Sequence, residues 1–522
     1  MQIIIRLYLI VLLCAGCVSQ QKPDAKKTLR LSIDTELSSF DPRKAGTRSA
    51  QIILGQLFEG LMRVDHQGNL VPAAAERIEM SPDALSVTFF LRSTYWSDGN
   101  PLTAADFARS WKEALYPQFP TDYALAFYII KNGQAVKEGK LPPEALGIKV
   151  LDNKILKVEF ETPAPFFPEL TANPLYAPVP PEQGQKQWVS NGPFVLSAWK
   201  PKEEIRLSKN SHYREKDDIL IDGITLNYLP DAQTALMMWK KGDLDLIGGP
   251  MSCLPRESFT SLREINALET LPSGGVFWLG FNTEKAPFSN KKIRQALAYA
   301  INRHDLVEHL LQGGEQPAFS VLPPQMQVNA GPAFKDADLE KARDLFQQGL
   351  KELGWTKDRF FQLELGYCLS SYGENLIAQT IQQQWNKAFG IEVPIKGTEK
   401  AVYLNNAASR NYDACFNIWY PWMNDPLIHF AFFKTKRDRI NMTGWESSTY
   451  QALLNKAEHE ENPKVREALY REAERILLEE MPIVPLFHPT YKFTKHEGVQ
   501  GLAVSNLGQV SFRGIKLSNS RQ

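Results

Sequence analysis

Ser86-Val87-Thr88-Phe89-Phe90-Leu91-Arg92, followed by Ser93-Thr94-Tyr95-Trp96-Ser97-Asp98-Gly99-Asn100-Pro101-Leu102-Thr103-Ala104-Ala105-Asp106-Phe107, holds a strand, a tight turn and a helix start in one run. Val87, Phe89 and Leu91 alternate, which is the period of a half-buried strand. Asp98-Gly99 tolerates the positive φ angles of a tight turn. Thr103 is placed to accept backbone N–H bonds as a helix N-cap, and Asp106 occupies the reciprocal third position. Phe107 and Trp111 follow four apart on one helix face. Trp96 and Asp98-Gly99 read as a turn held against a core, and Thr103 and Asp106 as a cap, rather than as ligand contacts.

The same grammar extends in both directions. Strands are expected at Thr28 to Asp34, with Leu29, Leu31 and Ile33 on one face, at Lys154 to Glu161, at Phe194 to Trp199, after the Gly242-Asp243 turn, at Leu363 to Tyr367 and, briefly, at Gly390 to Val393. Helical spacing runs from Ile52 to Met62, from Asn290 to Leu311, from Leu339 to Leu353 with Gly354 as its stop, and from Asn375 to Phe389. A last helix spans Asn462 to Glu480, with Leu469, Ile476 and Leu477 inward. The prolines between Pro163 and Pro181 argue against a helix or a central strand and fit a crossing between domains. The result is a mixed α/β chain in at least two lobes, without internal repeats.

A chain of 522 residues with 43% hydrophobic and 11% aromatic content has room for two to four cored domains. Lys+Arg and Asp+Glu balance at 59 each, which argues against a nucleic-acid partner. The eight histidines do not cluster, and no zinc, phosphate-loop or nucleophile-elbow signature is present. The sequence therefore points to no enzyme, no catalytic residues, no metal and no cofactor. Past the amino-terminal segment, the cysteines are Cys17, Cys253, Cys368 and Cys415. If Cys17 is modified, at most one disulfide can form among the other three.

Arg6 and the apolar run Leu7 to Leu13 are too short to span a bilayer and suit a secretory signal. Cys14-Ala15-Gly16-Cys17 resembles a bacterial lipobox, which implies cleavage before Cys17 and acylation of that residue. The usual leucine three residues before the cysteine is Cys14 here, which leaves an ordinary signal peptide cut near Gly16 as the alternative. Residues 1–16 are then the signal, and 17–27 a linker between anchor and fold.

Leu57-Phe58-Glu59-Gly60-Leu61, Pro72-Ala73-Ala74-Ala75-Glu76 and the stretch from Phe89 to Phe107 resemble the periplasmic oligopeptide- and dipeptide-binding proteins of ABC importers, extracellular solute-binding protein family 5. Asn191-Gly192-Pro193-Phe194, Gly242-Asp243-Leu244-Asp245, Phe281-Asn282-Thr283, Ala286-Pro287-Phe288, Ile293 to Leu297 and Ala300 to Arg303 continue the match in order. Arg294 within this block reads as a packing residue. The resemblance covers about Thr28 to Val510. It implies a two-lobed periplasmic-binding-protein fold with a hinge and an extra domain, of the large peptide-binder type. The division expected is 28–54, 182–272 and 491–522 in the first lobe, 55–181 in the extra domain, and 273–490 in the second lobe. The passage near Ala164 to Pro181 is expected to be one of the crossings between lobes.

The resemblance also implies a ligand cleft. Peptide-binding members hold an extended peptide by its backbone and bind its amino terminus with an aspartate in a segment that starts with tryptophan. That segment is Trp419-Tyr420-Pro421-Trp422-Met423-Asn424-Asp425-Pro426 here, and the place of the aspartate is taken by Trp422. An unpaired buried ammonium costs about 3–5 kcal/mol, whereas an indole face returns only about 0.5–2 kcal/mol. Asp425 belongs to the family pattern already and is a poor substitute. Cys415, Phe416, Asn417 and Ile418 are apolar or neutral, and Phe416 stands where oligopeptide binders present a cation to the far end of the ligand. Gly46-Thr47-Arg48 matches the segment that pairs with the ligand backbone, and Tyr123 matches a tyrosine from the other lobe. The expected ligand lacks a free α-amino terminus: a muropeptide, a blocked peptide or a non-peptide solute. Trp419, Tyr420, Trp422 and Tyr123 would offer stacking surfaces; Trp419 and Trp422 read alternatively as lobe core. The implied partners are a peptide or peptide-like solute, ABC permease subunits and, through Cys17, a bacterial membrane, with a monomer in the periplasm or at the cell surface. A non-transport interaction protein or chaperone on the same scaffold, and an enzyme on the same shell, are the competing readings.

Overall fold

The computed structural model describes residues 27–44, 47–65, 69–121, 123–181, 188–329, 331–369, 373–421, 425–437, 440–460, 462–505 and 509–518. The signal and lipidation readings at Cys17, and the site readings at Gly46 and Trp422, lie outside them.

Two large sheets organise the molecule. The first has seven strands in the spatial order Glu269–Pro272, Thr490–Lys495, Leu246–Gly248, Thr28–Ile33, Gly223–Tyr228, Glu204–Lys209 and Phe194–Lys200. Thr28–Ile33 runs parallel to Gly223–Tyr228 and buries Leu29, Leu31 and Ile33. The second has six strands in the order Gln316–Pro317, Ile483–His488, Val276–Phe281, Ala414–Trp419, Leu365–Cys368 and Ile395–Thr398. Its central strand Val276–Phe281 is buried along its whole length, which is why it reads as a continuous apolar run and not as an alternation.

A smaller antiparallel sheet, Ala75–Met80, Ser86–Leu91, Ile155–Glu159 and Ile148–Asp152, packs onto the first lobe. Val87, Phe89 and Leu91 turn inward beneath the helix Ala104–Ala114, whose Phe107 and Trp111 share that core. The Trp111 indole N–H donates to the Tyr176 carbonyl at 2.7 Å. At the cap, the Asp106 carboxylate accepts both the backbone N–H and the hydroxyl of Thr103, each at 2.9 Å. With the Thr103 side chain facing the Asp106 backbone N–H in return, this is the reciprocal capping box that the sequence suggests. The cores of the small and seven-stranded sheets are continuous, whereas the six-stranded sheet has its own. This is a two-lobed α/β fold.

The chain passes between the two large sheets at residues 273–275, after Glu269–Pro272, and again at Pro489, between Ile483–His488 and Thr490–Lys495. Ser273 ties the two passages together: its N–H and its hydroxyl donate to the Pro489 carbonyl at 3.2 and 2.6 Å. The proline-rich passage from Pro163 to Pro181 is not a crossing between lobes. It leads from the small sheet to the seven-stranded one, and it holds the short turns Phe167–Leu170 and Pro174–Tyr176.

Three other expectations shift. The helix expected from Ile52 starts at Arg48, because Thr47 caps it by accepting the Ala50 N–H at 3.3 Å, and it ends at Leu57. The pattern from Asn290 to Leu311 is broken: Lys291–Tyr299 ends at Ala300, and Asn302 caps a new turn that widens over Leu306–Leu311. The short strand expected at 390–393 forms instead at Ile395–Thr398, after Pro394. The helices Leu339–Leu353, Glu374–Phe389 and Pro463–Glu480 lie where the periodicity puts them; in the last, Leu477 is buried, with Leu469 and Ile476 packed at the edge of the core. Cys253, Cys368 and Cys415 are thiols, the first beside the seven-stranded sheet and the other two inside the six-stranded one.

Candidate functional site

A cavity of about 660 Å³ runs along the helix Arg48–Leu57. Arg48, Gln51, Ile52, Gly55 and Gln56 line it, which is the three-and-four spacing of one helix face. Ten residues at 1.5 Å rise give a face roughly 15 Å long. Tyr123, Leu125 and Ala126 form one wall with residues 170 and 172–176, the second half of the proline-rich passage. A late hairpin, Ala503–Val504 against Val510–Ser511, closes the other side. Gln56 pins that hairpin to the helix: its amide donates to the Val510 carbonyl at 3.2 Å and accepts from the Phe512 N–H at 3.3 Å. The second lobe contributes Trp419, Tyr420 and Pro421, which follow directly on the strand Ala414–Trp419.

The two ends differ. At the N-terminal end of the helix, the Arg48 guanidinium lies 4.8 Å from the Tyr420 ring centre and 5.7 Å from that of Tyr491. Burial raises both phenols above their ordinary value, against the opposing pull of Arg48, so both rings stay neutral. Tyr420 sits directly on the passage between lobes, since a Cβ on Gly275 would stand 2.7 Å from its ring. Trp419 is half-buried, packs against the cores of both lobes, and meets Phe432 edge-on at 4.3 Å.

The other end, just past Leu57, is an ionic network. Glu59 is buried and pairs with Arg214 and Arg513, and it accepts the Tyr213 hydroxyl at 2.7 Å. Burial by itself would raise the Glu59 carboxyl; Arg513 and Arg214 outweigh it and hold the group down at about 2. Glu215 accepts from Arg63 at 2.5 Å, from Arg214 at 3.1 Å and from Arg513 at 3.2 Å. Between these ends the surface is mostly apolar, with Ile52, Phe58, Leu125, Leu170, Pro174 and Val510 prominent.

Of the residues singled out from sequence, the structure gathers Arg48, Tyr123, Trp419 and Tyr420 around this cavity. Thr47 serves as the helix cap and is not among the lining residues. Phe416 is fully buried and stacks on Phe277 at 5.5 Å, so it does not face the cavity. Asn417 points to the opposite side, where its amide meets Met442 Sδ at 3.4 Å, and Ile418 packs against the second core. Asp425 is buried and committed to structure: it pairs with Arg466 and accepts the Tyr470 hydroxyl at 3.0 Å and the Leu427 N–H at 2.8 Å. Sequence reasoning missed Glu59, Arg63 and Arg513. The polar spacing of Arg48, Gln51, Gly55 and Gln56 on an otherwise apolar helix was the available signal for this wall.

The sequence model described as "Bacterial extracellular solute-binding proteins, family 5 Middle" matches residues 69–441. The oligopeptide-binding protein OppA of Bacillus subtilis (strain 168) is 34% identical over 515 residues, 95% of this chain and 94% of that one. The periplasmic murein peptide-binding protein MppA of Escherichia coli (strain K12) is 29% identical over 506 residues, 93% of this chain and 92% of its own. A solved structure of the murein tripeptide-binding protein MppA in an unliganded open form superposes with a TM-score of 0.81 at 27% identity, covering 95% of this chain and 98% of that chain.

Proposed function

The chain belongs to the bacterial extracellular solute-binding proteins, family 5, and from that premise we propose that it is the capture component of an ABC importer, holding a peptide or peptide-like solute between its lobes for delivery to permease subunits. It works outside the cytoplasm, tethered through Cys17, and releases its solute unchanged. The observation that carries this reading is the cavity itself. Its volume of about 660 Å³ lies within the roughly 300–1,000 Å³ of small-ligand sites. An extended chain advances about 3.3–3.6 Å per residue, so a face of roughly 15 Å matches about four residues. An apolar floor under backbone-length space suits a ligand held by its main chain with loose side-chain selection.

The ligand carries no free α-amino group at the usual place. Trp422 stands where family members carry the anchoring aspartate. Among the described residues, the acids that line the cavity, Glu59 and Asp65, are turned to protein groups: Glu59 to its arginines, and Asp65 to the Asn69 N–H at 2.9 Å. Blocked peptides and muropeptides meet this condition. Isothermal titration of the mature protein with paired tetrapeptides, free-amine and N-acetylated, checks it. The acetylated member is expected to bind at least as tightly; tight binding confined to the free-amine members would refute the lost anchor.

A further inference from the structure

At the cavity end beyond Leu57 the ionic network itself holds more guanidinium groups than carboxylates, while Asp65, which lines the cavity two residues after Arg63, is bonded to Asn69. Three guanidinium groups, Arg63, Arg214 and Arg513, meet two carboxylates, Glu59 and Glu215. Arg214 and Arg513 each reach both carboxylates. Arg63 contributes a single nitrogen, Nη1, to Glu215 at 2.5 Å and, more remotely, to Glu59 at 3.6 Å. Among the described residues, its Nε and Nη2 have no protein acceptor. Arg63 and Arg513 line the cavity, and their side chains keep 28% and 21% of their exposure. A partly exposed guanidinium at a cavity wall, with one nitrogen fixed by a carboxylate and the other two without a protein acceptor, retains the donors to take a second carboxylate. The network behind it fixes its position, so little ordering cost falls on binding.

We propose that this end is an anion subsite, with Arg63 as the recognising cation and Arg513 beside it, and that the solute bears a carboxylate at the end lying away from the hinge. The inference rests on the peptide-binding reading above and narrows it to acidic solutes. The carboxylate can be a chain terminus or an acidic side chain, since both present the same two oxygens to the fork. The apolar middle of the cavity accommodates the uncharged body of such a solute. Binding is therefore salt-sensitive, because one opposite-charge contact is made at a partly open site.

The test uses the mature protein and three N-acetylated tetrapeptides: the C-terminal acid, the neutral C-terminal amide, and the amide with one glutamate. Titration calorimetry is expected to give at least one acid about tenfold tighter than the neutral amide. In Arg63→Gln the ratio of acid to neutral-amide affinity is expected to shrink to within about twofold, and in Arg63→Lys to recover in part. Arg63→Gln leaves two guanidinium groups on two carboxylates, so thermal melts are expected to match the parent and exclude misfolding. Equal affinity for all three probes overturns the subsite while leaving the peptide-binding reading intact. An acid advantage that persists in Arg63→Gln overturns it as well. Failure of every probe to bind overturns both.

Discussion

Glu59 is worth most to this molecule as a charge. It lies buried between Arg214 and Arg513, with the Tyr213 hydroxyl on one oxygen. Glu59→Gln keeps the shape and removes the countercharge, leaving three guanidinium groups facing Glu215 alone. The expected cost is about 3–5 kcal/mol, read from urea unfolding at pH 7. The pH dependence has a defined sign. The Glu59 carboxyl is held at about 2 against an ordinary 4.5, so its stabilisation is complete above pH 4.5 and is lost as the pH falls from there toward 2. Glu59→Gln is expected to flatten that limb of the stability profile; a parent-like acid limb in the variant would contradict the assignment. Little of this was legible beforehand. Thr103 and Asp106 declare themselves because a cap is built from neighbours, and Arg48 and Trp419 because a family motif carries them. Glu59 and Arg513 are 454 positions apart, and no local pattern links such partners.

At the scale of elements, periodicity located most helices and strands, and the errors fall where side chains from elsewhere override it. The pattern from Asn290 to Leu311 is helical in spacing, yet the chain breaks at Asn302. Arg303 is fully buried there and donates to the Pro485 carbonyl at 2.7 Å and to Asp336 at 3.0 Å. Satisfying a buried guanidinium took precedence over continuing the helix. Phe416 was misplaced for a related reason: a strand turns alternate residues to opposite faces, and the motif alone does not say which face meets the cavity. The link between the helix Arg48–Leu57 and the strand Met62–Val64 is tighter than its sequence suggests. A Cβ on Gly60 would stand 1.9 Å from the Thr171 carbonyl oxygen, backbone against side chain with no room to yield. Gly60→Ala is expected to destabilise by about 1–3 kcal/mol and to weaken ligand binding as well, since residues 170 and 172–176 form the adjoining wall. Denaturation midpoints and titration of the same sample check both effects.

Across the whole molecule, two passages joined by Ser273 and Pro489 connect lobes with separate cores. That is the construction of a hinge: few groups change conformation while two packed bodies move. Trp419 and Tyr420 reach from the second lobe over a cavity built mainly by the first, so both lobes face it. Small-angle scattering is expected to show a radius of gyration of about 24 Å that contracts at saturating solute; an unchanged radius would contradict closure. The two-lobed architecture was legible because an ordered series of motifs spans the chain, whereas the floor of the site was not, because distant segments compose it. The late hairpin at Ala503–Val504 and Val510–Ser511, with Arg513 after it, has a temporal consequence. A ribosome that has just passed Lys495 has already delivered every strand of both large sheets, yet the pocket still lacks a side. Residues 499–517 thus complete the pocket and the first core together: Val510, Phe512 and Ile515 are buried in that core and Arg513 is a countercharge of Glu59, so trimming this tail is expected to cost the first lobe its stability as well as the pocket its wall.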